Sequence, residues 1–226
     1  FLNSLGQVHQ ALGDAEEALQ CFSRAAAINP AAAGTHLNLG NALKSLDRFD
    51  DALSSYREAL DLQPDFAEAH FNLAVTLVKL GQNEDALASF RQSLAIKPDF
   101  PQALCEMGNV LHELGEMEEA VETYQQFISL APDLVQAETY VIMADILGGL
   151  GRSQDAVDSY QRALVIKPEF ITAYINRGNT LKAMGRLEDA KADFIKARDI
   201  DPSICEPYVG LGNVLKAQNR LDDAIS

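Results

Sequence analysis

The 226-residue sequence predicts an all-α fold of tandem helix pairs, and three observations carry that prediction. Six of the eight prolines, Pro30, Pro64, Pro98, Pro132, Pro168 and Pro202, are spaced 34, 34, 34, 36 and 34 residues apart. Seven alanines, Ala18, Ala52, Ala86, Ala120, Ala156, Ala190 and Ala224, keep the step of 34 and lengthen it to 36 across the same interval. Between these marks apolar residues recur at helical spacing. A fixed period of this length marks an array of supersecondary units, each burying its apolar face against its neighbours.

The elements follow in order within each unit. In residues 33–66, Leu37, Leu39, Leu43 and Leu46 define a first helix, and a break follows at Asp47. Ala52, Leu53, Tyr56, Leu60 and Leu62 define a second, of about 13 residues like the first, that stops before Pro64 because proline cannot continue the hydrogen-bond ladder. The break is filled in turn by Gly13, Asp47, Gly81, Gly115, Gly151, Gly185 and Asn219, residue types that tolerate the left-handed conformation closing a helix. Asp65 with Glu68, and Ser203 with Glu206, have the spacing of a capping pair at the next helix start. The small first-helix residues Gly6, Gly40, Gly108, Gly178 and Gly212 are expected to leave room for the aromatics Phe22, Tyr56, Phe90, Tyr124, Tyr160 and Phe194, each four residues after a periodic alanine. The units read as a partial 1–32, full 33–66, 67–100, 101–134, 135–170 (with a two-residue insertion) and 171–204, and a seventh, 205–226, that stops inside its second helix. The insertion is a candidate for a change of twist. The chain opens at Phe1, not methionine, and reads as a fragment whose leader, if one exists, lies outside it.

Composition narrows the function classes. Lys+Arg 18 against Asp+Glu 33 gives a formal charge of −15, which disfavours nucleic acid, whose phosphates are held by lysine and arginine. Much of that charge is positional, since acids such as Glu16, Glu17, Asp50, Asp51, Glu84 and Asp85 fall at second-helix starts, where they complement the helix dipole. No apolar run approaches the length of about 18 residues that a membrane span needs. Cys21, Cys105 and Cys205 lack CxxC spacing and read as free thiols in a reducing, cytoplasmic compartment. The sequence has no phosphate-binding loop, no HExxH and no GxSxG, so neither a cofactor, a metal nor a catalytic residue is expected.

The Gly, Ala-then-aromatic and Pro columns together resemble the tetratricopeptide repeat (TPR) family over nearly the whole chain. Departures are His36, His70 and Leu104, where Tyr140, Tyr174 and Tyr208 stand in other units. The resemblance implies a right-handed superhelical solenoid of antiparallel helix pairs, whose first helices line a concave groove, and it implies no catalysis.

On that pattern the first helices carry the candidate binding residues. Asn38, Asn72 and Asn176 share one column. Asn41, Asn109, Asn179 and Asn213 share a second three residues on, and Lys44, Lys182 and Lys216 a third. Glu106 and Ile142 interrupt the first column, and Asp145 the second. A carboxamide offers donors and an acceptor, so a ladder of them can hold an extended backbone, and lysine beside it favours carboxylates. These columns resemble the asparagine ladder of the O-GlcNAc transferase superhelix. The expected function is a non-catalytic protein-interaction scaffold binding an extended peptide or partner segment. The alternatives are the substrate-recruiting arm of a larger transferase, or a homo-oligomer assembling through open array ends.

Overall fold

The computed structural model describes residues 1–225, with side chains through Gln218. Among the described residues it is all α-helical apart from turns and one 3-10 segment. The chain forms two compact units, residues 1–116 and 117–226. The first holds α1 (Leu2–Leu12), α2 (Ala15–Ile28), α3 (Ala33–Ser45), α4 (Phe49–Leu62), α5 (Ala67–Lys79), α6 (Asn83–Ile96) and α7 (Pro101–Leu114). The second holds α8 (Met117–Leu130), α9 (Ala137–Gly149), α10 (Ser153–Ile166), α11 (Ile171–Ala183), α12 (Leu187–Ile200) and α13 (Glu206–Ile225).

The expected breaks are made by left-handed residues. Gly13, Gly81, Gly115, Gly151 and Gly185 have φ between 72° and 85°, and Asp47, at 57°, is the sole non-glycine with positive φ among the described residues. Second helices end two residues before proline: α4 at Leu62 and α10 at Ile166, with the intervening Gln63 and Lys167 driven to extended backbone. The two-residue insertion is absorbed by the 3-10 turn Pro132–Leu134 and the extended Val135 that follows it.

Packing follows the small-and-aromatic columns. Ala18, Ala52, Ala86, Ala120, Ala156 and Ala190 are 0% exposed, and their six aromatics are at most 3% exposed. A β-carbon added at Gly40 would stand 2.5 Å from the Tyr56 ring, and one at Gly6 2.6 Å from Phe22, so only glycine admits these rings so close. In the first unit Leu43, Ala52 and Tyr56 form a core with Leu37, Leu39 and Leu73. In the second, Val157, Leu181, Ala190, Phe194 and Val214 form the corresponding one.

Three expectations fail. The turn near Asn219 does not form, and α13 runs unbroken from Glu206 to Ile225. A β-carbon at Gly212 would meet nothing within 4 Å among the described residues, and one at Gly210 would stand 2.5 Å from the Phe194 ring. The capping pairs also fail: α5 is preceded by Phe66, whose side chain makes no cap, and Ser203 bonds to Asp201, not to the helix start. Ala224 and the side chain of Asn219 lie outside the described side chains.

Candidate functional site

In the first unit the Asn and Lys columns are half-buried and hydrogen-bonded. Asn38 Nδ2 donates to Asn3 Oδ1 at 3.2 Å, and the Tyr56 hydroxyl donates to Asn41 Oδ1 at 2.8 Å. Lys44 Nζ reaches from α3 to α5 and donates to Asn72 Oδ1 at 2.8 Å, while Asn72 Nδ2 donates to the Glu68 carbonyl at 2.9 Å. Burial penalises the charged Lys44 ammonium and lowers its pKa. Asn109 Nδ2 donates to Glu106 at 3.4 Å. Asn38, Lys44 and Asn72 therefore link neighbouring first helices, and Asn41 bonds the tyrosine of its own hairpin, while Asn109 and Glu106 share one helix. The linkage between positions 41 and 56, 15 residues apart, was not read from the sequence. Its signal is the pairing of a tyrosine, not a phenylalanine, with a polar residue in the second column.

The second unit leaves the same columns open. Asn179, Asn213 and Lys216 are exposed, and Asn176 and Lys182 are half-buried. Phe194 occupies the position of Tyr56 and has no hydroxyl to give, and among the described residues Asn179 is held by Lys182 Nζ at 3.5 Å alone. Asp145 replaces asparagine in the second column. Its Oδ1 accepts from the Tyr160 hydroxyl and from Asn176 Nδ2, the latter at 3.0 Å. Burial, then the bond to Asp145, push the Tyr160 phenol pKa up, so it remains a donor. Asp145, Ser153, Tyr160, Asn176, Asn179 and Thr180 line a recess of about 430 Å³.

One further pair was missed. Arg177 stands where Leu39 stands in the first unit, and Asp193 where Ser55 stands. The guanidinium donates bidentately to Asp193, Nε to Oδ2 at 2.7 Å and Nη2 to Oδ1 at 2.6 Å, and also to Gln161. Their side chains are 13% and 7% exposed, so a charge pair sits in what is otherwise an apolar seam. Reading each column for polarity alone hides a compensated exchange of this kind.

The remaining candidates serve the fold. His36 and His70 donate Nε2–H to the carbonyls of Pro30 and Pro64 at 2.8 and 2.9 Å, as the Tyr208 hydroxyl donates to Pro202 at 3.2 Å. Phe71, on α5, packs on Phe90 and Phe100. Burial raises the Cys105 thiol pKa, with Glu106 adding to it, and no cluster of metal-binding side chains occurs among the described residues. No helix among them is long and apolar enough to cross a membrane.

Three family models, each described as tetratricopeptide repeat, match residues 37–99, residues 1–65 with 99–169, and residues 171–204. No curated protein matches. Among solved structures, YrrB, described as a TPR protein with an unusual peptide-binding site, is similar at TM-score 0.76 and 23% identity, covering 83% of this chain and 95% of its own. MamA from Desulfovibrio magneticus RS-1 is similar at TM-score 0.67 and 19% identity, covering 76% and 97%. A tetratricopeptide repeat protein from Parabacteroides merdae is similar at TM-score 0.67 and 21% identity, covering 96% and 86%. At these identities the likeness is one of fold.

Proposed function

We propose that this chain, which belongs to the tetratricopeptide repeat family, is a non-catalytic interaction scaffold that holds an extended peptide or partner segment along its first helices. The observation that supports this most is the set of first-helix carboxamides and ammoniums in the second unit that the fold leaves accessible: Asn176, Asn179, Lys182, Asn213 and Lys216. Amides at this spacing can donate to and accept from a main chain without reading its side chains, while the lysines attract carboxylates. That YrrB is described as peptide-binding fits the reading.

The residues differ in how far they are already engaged. In the first unit Asn38, Asn72, Asn109 and Lys44 already hold partners, and Asn41 keeps only its donor end free of Tyr56. A ligand there must exchange existing bonds, as it must at Asn176 and Lys182, so the exposed Asn179, Asn213 and Lys216 are the most accessible of the set. Free thiols at Cys21, Cys105 and Cys205 support a reducing, cytoplasmic setting. The acidic balance favours a protein partner over nucleic acid.

Selection of a displayed peptide library on the full chain tests the reading. Selected peptides should lose about tenfold in affinity, about 1.4 kcal/mol, when Asn176 and Asn179 are both changed to Ala with helicity preserved. Equal affinity for the two proteins would remove these residues from the site.

A further inference from the structure

We propose that the recess beside Asp145 is a subsite for a cationic side chain of the bound segment, an arginine guanidinium or a lysine ammonium. The proposal rests on the peptide-binding reading and gives it a sequence preference that a ladder of amides lacks.

The argument begins from a substitution the fold does not require. In the first unit Asn41 satisfies the Tyr56 hydroxyl with a neutral amide oxygen at 2.8 Å. Asp145 holds the same relation to Tyr160, and an amide would serve that phenol equally well. The negative charge is therefore surplus to the packing.

The charge is also fixed and unneutralised. Tyr160 and Asn176 both bond to Oδ1, which orients the carboxylate, while Oδ2 accepts no hydrogen bond among the described residues. Nor does any arginine or lysine form an ion pair with Asp145 among them, and Lys182, on the same helix as Asn176, is directed to Asn179 instead. The residue is solvent-accessible, and the recess at its side, about 430 Å³, has room for an arginine or lysine side chain. Its remaining polar wall supports the same class of ligand. Its Ser153 hydroxyl is a further acceptor for the donors of a guanidinium or ammonium, while Asn179 Oδ1 already accepts from Lys182 Nζ at 3.5 Å, and among the lining residues Asp145 carries the one formal charge. A preoriented carboxylate loses little freedom when a cation binds, which is where an exposed ion pair otherwise forfeits its gain.

The test uses three single-residue probes: Nα-acetylarginine methylamide, Nα-acetyllysine methylamide and the neutral isostere Nα-acetylcitrulline methylamide. Each is titrated onto the full chain at low ionic strength while the side-chain amide resonances of Asn176 and Asn179 are followed. Saturable shifts are expected with the cationic probes and none with citrulline. Response to arginine alone assigns a planar fork, and response to both assigns a general cation site. Asp145→Asn, which keeps an acceptor for Tyr160, should weaken the response about tenfold or more. Equal shifts from citrulline, or an Asp145→Asn protein that titrates like the native chain, would overturn the proposal. If that variant melts early, ionic strength decides on the native chain, because shifts unchanged at high salt contradict an exposed charge contact. The probes carry no peptide to span the first helices, so a negative result here leaves the library selection standing, and a library without binders leaves this titration readable.

Discussion

The hairpins α3/α4 and α11/α12 share the run Gly-Asn-x-Leu-Lys, at residues 40–44 and 178–182, yet the two asparagines have opposite fates. Asn41 is tied to Tyr56, whereas Asn179 is exposed because Phe194 has nothing to donate. The glycines differ too. A β-carbon at Gly40 would lie 2.5 Å from its ring, and one at Gly178 3.0 Å. Finally, the apolar Leu39 and hydroxylic Ser55 of the first hairpin become the ion pair Arg177 and Asp193 in the second. The same local motif thus becomes a structural tie or an exposed amide according to a residue fifteen positions away.

The largest way to break the comparison is to remove half of the buried pair. Arg177→Leu leaves Asp193 charged and unpartnered in the seam and should cost about 3–5 kcal/mol, read by chemical denaturation. The double change Arg177→Leu with Asp193→Ser installs the first hairpin's residues and should restore most of that loss. A double variant as unstable as the single one would show that the seam around α11 requires charge.

Overpacking ranks next. Gly40→Ala should lower stability by about 1–3 kcal/mol, less up to about 1 kcal/mol of helix propensity that alanine returns. Gly178→Ala, with more room, should be nearer neutral. Equal melting temperatures for the two would contradict the difference in ring approach.

Exchanging the aromatics swaps the fates of the asparagines. Tyr56→Phe should cost about 1 kcal/mol through its lost hydrogen bond and open Asn41 to peptide, while Phe194→Tyr should bind Asn179 and weaken peptide capture by the second unit. Peptide affinity that ignores both changes would sever the link between tyrosine and amide.

The smallest effect is in pH. Burial, opposed in part by a bond with Thr76, holds the Tyr56 phenol above its ordinary pKa of 10.0. Its contribution to stability is therefore complete below pH 10 and declines as pH rises above it, because the unfolded chain gives up the proton first. Tyr56→Phe should flatten that alkaline decline, and an unchanged slope in denaturation above pH 10 would place the effect elsewhere.

The fold was legible because its determinants are single residues with strong local preferences: proline, left-handed glycine, and alanine facing a ring. Asp47 shows the reach of that reading, since an aspartate could be placed in a left-handed position from its register alone. The failures fall at helix boundaries. Asp65 and Glu68 had the right spacing, but the N-cap is Phe66 and the helix begins one residue later, at Ala67. Asn219 had the right register, but α13 continues through it. At the candidate site the sequence located the columns, while the partners of Asn41, Lys44, Asp145 and Arg177 lie 15 to 31 residues away and emerge only once helices are placed side by side.

The proline carbonyls that accept from His36, His70 and Tyr208 bear on how this chain can drift. Where one hairpin hands over to the next, an imidazole and a phenol are interchangeable because each delivers one proton to the same oxygen. Mutation can wander between those two side chains without loosening the joint. A step to phenylalanine keeps the bulk but strands the oxygen.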